Sequence, residues 1–297
     1  MTMSSKVACV VLNYKDADEC ARYARWAENL DVYDYIILVD NKSPDDSYEK
    51  LKKLQNNRIK VYQSEKNGGY GYGNNFGVKI AGNEFGCDIA FISNPDVSYT
   101  KESVGNLVHF MEEKPKCSVI SGIQYNGFTG KRRDDSAWNS FTYTEYVLMD
   151  LFLLKRLLSK RRSIINADVD YQKVDCVLGA FMAVRIHDFL AWGGYDEGMF
   201  LYGEESALGY RMKAKGYYTY LAPHEKYYHF ESSSISKSYP SMLSRFKLVM
   251  KSRKYMLNHY FNLNWFQRGL AGLLINTAIF ETVIKQYIKI NILKMNG

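Results

Sequence analysis

Four polar segments of the 297-residue chain each follow a short apolar run: Leu12-Asn13-Tyr14-Lys15, Asp40 through Asp46, the glycine-rich Asn67 to Gly77, and Asn94-Pro95-Asp96. A carboxylate at the end of a strand can accept a hydrogen bond from a base N–H, and Asp40 suits that role. A hard divalent cation takes oxygen ligands, commonly one or two protein carboxylates beside phosphate oxygens. Asp96 could be such a carboxylate, with Asn94 orienting the loop or a bound water. Ser43 and Asp45 read better as a turn and a helix cap. Further on, Glu204-Glu205 opens a helical pattern. Two acids there are explained by the helix dipole, or one of them is a general base. An unperturbed glutamate, with pKa ~4.3, is already ionised at neutral pH. His229 is a structural histidine or an imidazole ligand for a metal such as Mn²⁺.

What is missing narrows the chemistry. A dinucleotide site needs G-x-G-x-x-G in its first strand-to-helix turn, so that backbone can approach a pyrophosphate. The turn after Leu12 has no glycine, and Gly68 to Gly77 fits that spacing in no register. No Walker A sequence occurs. A nicotinamide enzyme and a P-loop ATPase are both disfavoured.

The elements that must position these residues alternate in type. Val7–Leu12, Tyr35–Val39, Ile59–Gln63, Asp88–Ser93 and Ser118–Gly122 read as strands, and Asp18–Leu30, Asp46–Leu54, Asn75–Ala81 and Lys101–Lys114 as helices. Such alternation predicts an α/β fold, a Rossmann-like, mainly parallel sheet flanked by helices. Ligands then gather beyond the carboxyl ends of the strands, where the four polar segments fall. Residues 123–173 lose the alternation, hold Lys131-Arg132-Arg133, an amphipathic run Tyr146–Leu158 and the basic Lys160-Arg161-Arg162, and read as an acceptor-side insertion. Val174–Val184 resumes strand character, Glu204–Lys215 is helical, Tyr218–Ala222 is a last strand, and the pattern is helical from Pro240. The expected division is a catalytic domain over 1–235 and a helical extension over 236–297.

The net charge of +7 suits an anionic ligand or an anionic membrane face. Nucleic acid is not an expected partner, because the basic residues are dispersed and no recognition motif appears. Five cysteines without a C-x-x-C pair read as buried free thiols. No signal peptide is evident, and the longest apolar stretch, Gly269–Phe280, is shorter than the roughly 20 residues a span requires. A cytoplasmic protein, peripheral at the inner face of the cell membrane, is expected.

Taken in order, the segments resemble glycosyltransferase family 2, in particular its bacterial rhamnosyl- and galactofuranosyltransferase-like branch. The likeness runs from Val7 to about Ser234. It comprises Val10 to Tyr14, Leu38 to Ser43, Asn67 to Gly77, Asn94 to Val97, Val174-Asp175, Gly179-Ala180, Gly193 to Glu197, Phe200 to Glu205 and Tyr228-His229. The resemblance implies a GT-A fold with a C-terminal helical extension. It also implies an inverting, metal-dependent transfer of one sugar from a nucleoside-diphosphate donor to a saccharide or lipid-linked saccharide. By the resemblance, Glu205 is the base. Leu12, Tyr14, Asp40, Asn41, Asn67, Gly69, Asn74, Asn75, Asn94, Gly179, Ala180 and Glu204 frame the donor, and Asp96 with His229 holds Mn²⁺ or Mg²⁺. The branch suggests a dTDP- or UDP-sugar, rhamnose first, used in bacterial cell-surface polysaccharide synthesis. Basic-aromatic helices near Arg245–Tyr260 would rest on anionic lipid, and a homo-oligomer is possible. Two positions depart from the family pattern: Asn94 replaces a first acid, and Glu-Glu-Ser-Ala stands where Glu-Asp-x-Asp is usual. The alternatives are a catalytically decayed transferase that binds glycan or nucleotide-sugar, and a sugar nucleotidyltransferase.

Overall fold

The computed structural model describes residues 5–151, 164–230 and 241–295. The basic Lys160-Arg161-Arg162 and the end of the amphipathic run, from residue 152, lie outside the described residues.

The strands are β1 (Val7–Asn13), β2 (Tyr35–Asp40), β3 (Ile59–Gln63), β4 (Ile89–Ser93), β5 (Val97–Tyr99), β6 (Cys117–Asn126), β7 (Ala137–Trp138), β8 (Gln172–Val174), β9 (Cys176–Val177), β10 (Phe181–Arg185) and β11 (Tyr218–His229). The helices are α1 (Ala17–Leu30), α2 (Ser47–Lys52), α3 (Tyr70–Asn83), α4 (Lys101–Glu113), α5 (Tyr143–Leu148), α6 (Ile186–Ala191), α7 (Glu204–Ala214), α8 (Met242–Tyr260) and α9 (Trp265–Met295). A nine-stranded sheet runs β3-β2-β1-β4-β10-β6-β11-β5, with β8 also on β11. β1 to β4 are mutually parallel, β10 is inserted antiparallel between β4 and β6, and β6 and β11 are parallel. The carboxyl ends of β1, β2, β4, β6 and β11 therefore share one edge, and reversed β10 begins at that same edge. β1, β2 and β4 are apolar up to their last residues, Asn13, Asp40 and Ser93, and buried on both faces, as central parallel strands must be.

Three expected boundaries move. The helix expected at Asn75 starts at Tyr70, inside the glycine-rich segment. Glycine is a poor helix former, but here it permits close packing of α3 on the sheet. A Cβ on Gly73 would come 2.2 Å from the Leu12 side chain, and one on Gly77 2.4 Å from Val10. β6 continues to Asn126 because β11 continues to His229 beside it, past a register shift between Ala222 and Lys226. That irregularity lies over Gly122, where a Cβ would meet the Glu225 carbonyl oxygen at 2.6 Å. The loss of alternation assigned to Ile123 thus begins after Asn126. The strand-like Val174–Val184 resolves into three short strands, β8, β9 and β10.

The chain forms two compact units: residues 1–140, 164–200 and 204–234, and residues 141–163, 201–203 and 235–297. The first carries the sheet, with an apolar cluster on each face. All five cysteines are free and buried. In the second unit, the Tyr143 hydroxyl donates to the Gln267 carbonyl at 2.8 Å, Arg253 pairs with Asp150, and Arg253 lies over the Tyr146 ring. Among the described residues no helix is long and apolar enough to cross a membrane.

Candidate active site

The parallel pairing Asn13↔Asp40 closes β1 and β2 at the ligand edge. Asp40 is fully buried, and its carboxylate accepts from Asn13 Nδ2 (2.8 Å), the Ser43 N–H (3.1 Å) and Gln63 Nε2 (2.9 Å). Ser43 Oγ in turn accepts the N–H of Lys15, whose φ is +58°. Asn41 is also committed: Nδ2 donates to Asn67 Oδ1 (3.1 Å) and the Gly69 carbonyl (3.0 Å), while Oδ1 accepts from Ser64 Oγ. These bonds fasten the loops after β1, β2 and β3 into one wall. Gly69 has φ +92°, and a Cβ there would lie 2.0 Å from the Phe200 carbonyl oxygen, which accepts the Tyr70 N–H. That turn tolerates only glycine. Leu12, Tyr14 and Asn67 are half-buried and retain surface at this wall.

Asn74 and Asn75 are buried on α3 and are spent differently. Asn75 donates to the Tyr195 carbonyl and to Glu197 Oε1, both at 2.9 Å, and accepts the Tyr195 N–H at 2.8 Å. A Cβ on Gly194 would meet its Oδ1 at 2.3 Å. Asn75 thus braces the Gly193–Glu197 loop, and its polar atoms are taken up by protein. Asn74 Nδ2 donates to the Tyr70 carbonyl, while its Oδ1 is buried with no hydrogen-bond partner among the described residues.

The second half of the site forms where β10 begins. The Asn94 N–H donates to the Ala180 carbonyl (2.8 Å), which places the loop after β4 against Gly179-Ala180. The Gly179 N–H donates to Glu205 Oε1 at 3.2 Å, and the Tyr70 hydroxyl donates to the Gly179 carbonyl at 2.7 Å. Successive helical residues point about 100° apart, so the adjacent acids diverge. Glu204 is buried, its Cγ 3.7 Å from where a Gly71 Cβ would stand, whereas Glu205 reaches Gly179 and is only partly covered. Burial raises the Glu205 carboxyl above the usual glutamate range, opposed by its own N–H, the Gly179 N–H and the charge of Arg133. Glu205 is therefore perturbed, unlike the ordinary glutamate expected from sequence. Gly209 allows α7 close to β9, since a Cβ there would lie 2.3 Å from the Asp175 carbonyl oxygen. Ala207 is fully buried in the same helix.

Asp96 and His229 meet at the neighbouring strand ends. β5 pairs antiparallel with β11 (Val97↔His229), and the Phe230 N–H donates to the Asp96 carbonyl at 2.8 Å. His229 Nε2 lies 3.1 Å from Asp96 Oδ1, and its Nδ1 is buried with no hydrogen-bond partner among the described residues. No group of three or more His, Cys, Asp or Glu side chains suited to a metal occurs among the described residues. Asp45 caps a turn as expected, accepting the Ser47 N–H.

Two further residues near Glu205 are not singled out by the sequence pattern. Tyr70 was hidden in the glycine-rich segment, and burial, followed by Glu205 and Glu204, raises its hydroxyl pKa well above the usual value. Arg133 was visible only as one of three basic residues. The Arg133 N–H bonded to the Gln124 carbonyl brings it toward Glu205, and only the length of β6 makes that contact.

A family model described as glycosyl transferase family 2 matches residues 27–192, more than half of the chain. The chain belongs to glycosyl transferase family 2. It is 25% identical over 239 residues to the rhamnosyltransferase WbbL of Escherichia coli (strain K12), covering 76% of this chain and 87% of that protein. It is 26% identical over 214 residues to the low-salt glycan biosynthesis hexosyltransferase Agl10 of Haloferax volcanii, covering 71% and 63%. Among solved structures, the mannosyltransferase PcManGT from Pyrobaculum calidifontis in complex with GDP-Man and Mn²⁺ superposes with a TM-score of 0.59 at 12% identity, covering 94% of this chain and 70% of that one. GalNAc-T7 with UDP, GalNAc and Mn²⁺ gives 0.57 at 16% identity, covering 76% of this chain. This chain spans 43% of the GalNAc-T7 chain. These likenesses carry the fold, which is GT-A. The protein is a glycosyltransferase, and the nucleotidyltransferase alternative falls.

Proposed function

We propose that this protein transfers one sugar from a nucleoside-diphosphate donor to a saccharide acceptor by in-line displacement with inversion, with Glu205 as the base. The observation that carries the reading is the placement of Glu205. One carboxylate oxygen is aligned by the Gly179 N–H, beside the loop bearing Asn94, and burial makes the group a stronger proton acceptor than a free glutamate. The acceptor hydroxyl loses its proton to Glu205 and attacks the anomeric carbon from the face opposite the leaving diphosphate. The C–O bond to the acceptor forms as the C–O bond to the diphosphate breaks. Glu204, Gly179 and Ala180 bound the space for the donor sugar, and Leu12, Tyr14, Asn67 and Gly69 bound that for base and ribose. Asp40 can take a base N–H only where Gln63 yields its place on the carboxylate.

The pair Asp96–His229 fits a divalent cation. Asp96 Oδ1 and His229 Nε2 lie 3.1 Å apart, close enough that both could hold one cation. His229 Nδ1 has no hydrogen-bond partner among the described residues, which supports a ring available to a ligand. One imidazole beside one carboxylate would favour Mn²⁺ over Mg²⁺. Bound there, the cation would neutralise charge developing on the departing diphosphate.

A dTDP- or UDP-sugar, rhamnose first, is the proposed donor, a reading supported by likeness to the E. coli rhamnosyltransferase. A lipid-linked saccharide of cell-surface polysaccharide synthesis is the proposed acceptor. Glu205→Gln tests the mechanism, because it keeps the side-chain size and removes the proton acceptor. Transfer should fall by roughly 10²–10⁴-fold with donor Kd nearly unchanged. Glu204→Gln should hurt less. Near-normal turnover in Glu205→Gln would remove Glu205 from the mechanism, and donor binding without turnover in the unmutated protein would mark a decayed transferase.

A further inference from the structure

Helix α9 has two unlike faces. Ala271, Ile275 and Ala278 are buried, and the helix packs against α8 and α5. On the other side Phe266, Leu270, Leu273, Phe280, Ile284 and Tyr287 are exposed, with Leu273, Phe280 and Tyr287 at 63%, 63% and 68%. Their spacing alternates four and three residues, with Thr277 filling the one polar step, so they form a single stripe along the helix. A continuous apolar stripe of this length on a lone chain calls for something to cover it.

Charge decides what covers it. Residues 241–297 hold nine Lys and Arg and one acid, Glu281, a net +8 against +7 for the whole chain. The two helices therefore carry all of the chain's excess positive charge, and the remainder is close to neutral. On α8, Lys247, Lys251 and Lys254 are exposed at helical spacing on one face. Two copies placed stripe to stripe would bring two such segments together and repel. An anionic lipid surface satisfies both features, and Trp265 and Tyr287 near the stripe's ends suit the headgroup level.

We propose that α9 lies in the plane of an anionic bilayer with its Phe266–Tyr287 stripe among the headgroups, while the α8 lysines meet lipid phosphate. The apolar anchor is thus α9. The stretch Arg245–Tyr260, expected to rest on lipid, supplies charge, since the only exposed large apolar residue of α8 among the described residues is Met242. Lying on the surface also agrees with the lack of a spanning helix among the described residues.

The test is co-sedimentation of the full chain with phosphatidylglycerol vesicles and, separately, phosphatidylcholine vesicles, across a salt series. Light scattering without lipid accompanies it. The expected result is a monomer that binds phosphatidylglycerol at low salt, binds phosphatidylcholine far less, and is released as salt rises. Phe280→Gln with Ile284→Gln should weaken binding by about tenfold or more. Lys247→Gln with Lys251→Gln and Lys254→Gln should weaken it by about 100-fold, at roughly fivefold per lost charge. Both variants should keep the unfolding midpoint within a few degrees, since every altered side chain is exposed. Failure to bind either vesicle, equal binding to both, or undiminished binding by the Phe280/Ile284 variant overturns the proposal. A lipid-free dimer that this variant converts to monomer overturns it in favour of a second copy of the chain.

Discussion

Replacing Gly179 with alanine should separate the position of Glu205 from its mere presence. Gly179 does not have a left-handed φ, so the backbone accepts alanine without strain. The new Cβ would stand 2.6 Å from Glu205 Oε1. Ordinary contact begins near 3.4 Å, so the carboxylate must retreat by about 0.8 Å. It can do so cheaply, because the clash falls on the far end of a flexible side chain. Stability should change by less than about 1 kcal/mol. A displacement on the order of 1 Å in a reacting group costs about 10²-fold, so kcat should fall roughly 100-fold. The assay is a double-mutant cycle with Glu205→Gln, reading product formation, donor Kd and thermal unfolding for the four proteins. If Gly179→Ala acts through Glu205, adding it to Glu205→Gln should cost little more. Turnover within about twofold of the unmutated protein, or losses that multiply in the double variant, would refute the reasoning.

Other outcomes follow from the same geometry. Glu205 must be ionised to accept a proton and its pKa is raised, so kcat/KM should fail on the acid side at a higher pH than an ordinary glutamate would impose; a limb near pH 4.5 or below speaks against it. The same shift has a stability sign. A carboxyl raised by folding binds more protons when folded, so its contribution declines as pH rises from the unfolded pKa through the folded one. Glu205→Gln should therefore unfold at an equal or higher temperature than the unmutated protein at neutral pH, and a lower midpoint would count against burial as the cause. Calorimetry of donor binding should show a loss with EDTA and recovery with Mn²⁺, and both effects should vanish in Asp96→Ala; equal affinity throughout would sink the metal assignment. Gly69→Ala should destabilise by more than about 2 kcal/mol, because it combines a left-handed φ with a 2.0 Å approach to the Phe200 carbonyl oxygen. An unchanged denaturation midpoint would contradict that.

Much of this was legible in the residues alone. Apolar runs such as Val7–Leu12 and Ile89–Ile92 announce buried parallel strands because nothing else hides so many branched side chains in so few residues. Once those strands are parallel, their carboxyl ends must share an edge, and Asp40, Asn94 and Asp96 fall there by count. The order of the motifs identified the family. Other features depend on partners distant in sequence. The propensity of Gly73 and Gly77 argues against helix, and only the side chains of Leu12 and Val10, brought beneath α3 by the sheet, make glycine the residue that fits. Asn75 is polar in a polar segment and looks like a pocket residue, yet the Gly193–Glu197 loop, over a hundred residues away, consumes it. Neither the helical spacing of Glu204 and Glu205 nor their type reveals which one meets Gly179. That choice depends on β10 entering the sheet antiparallel between β4 and β6. Burial of Glu205, and with it the shifted pKa, likewise arises only when the strand ends and α7 close around it. Sequence carries what is periodic and local, whereas hydrogen-bond partners and desolvation are set by surfaces that exist only after the chain has folded.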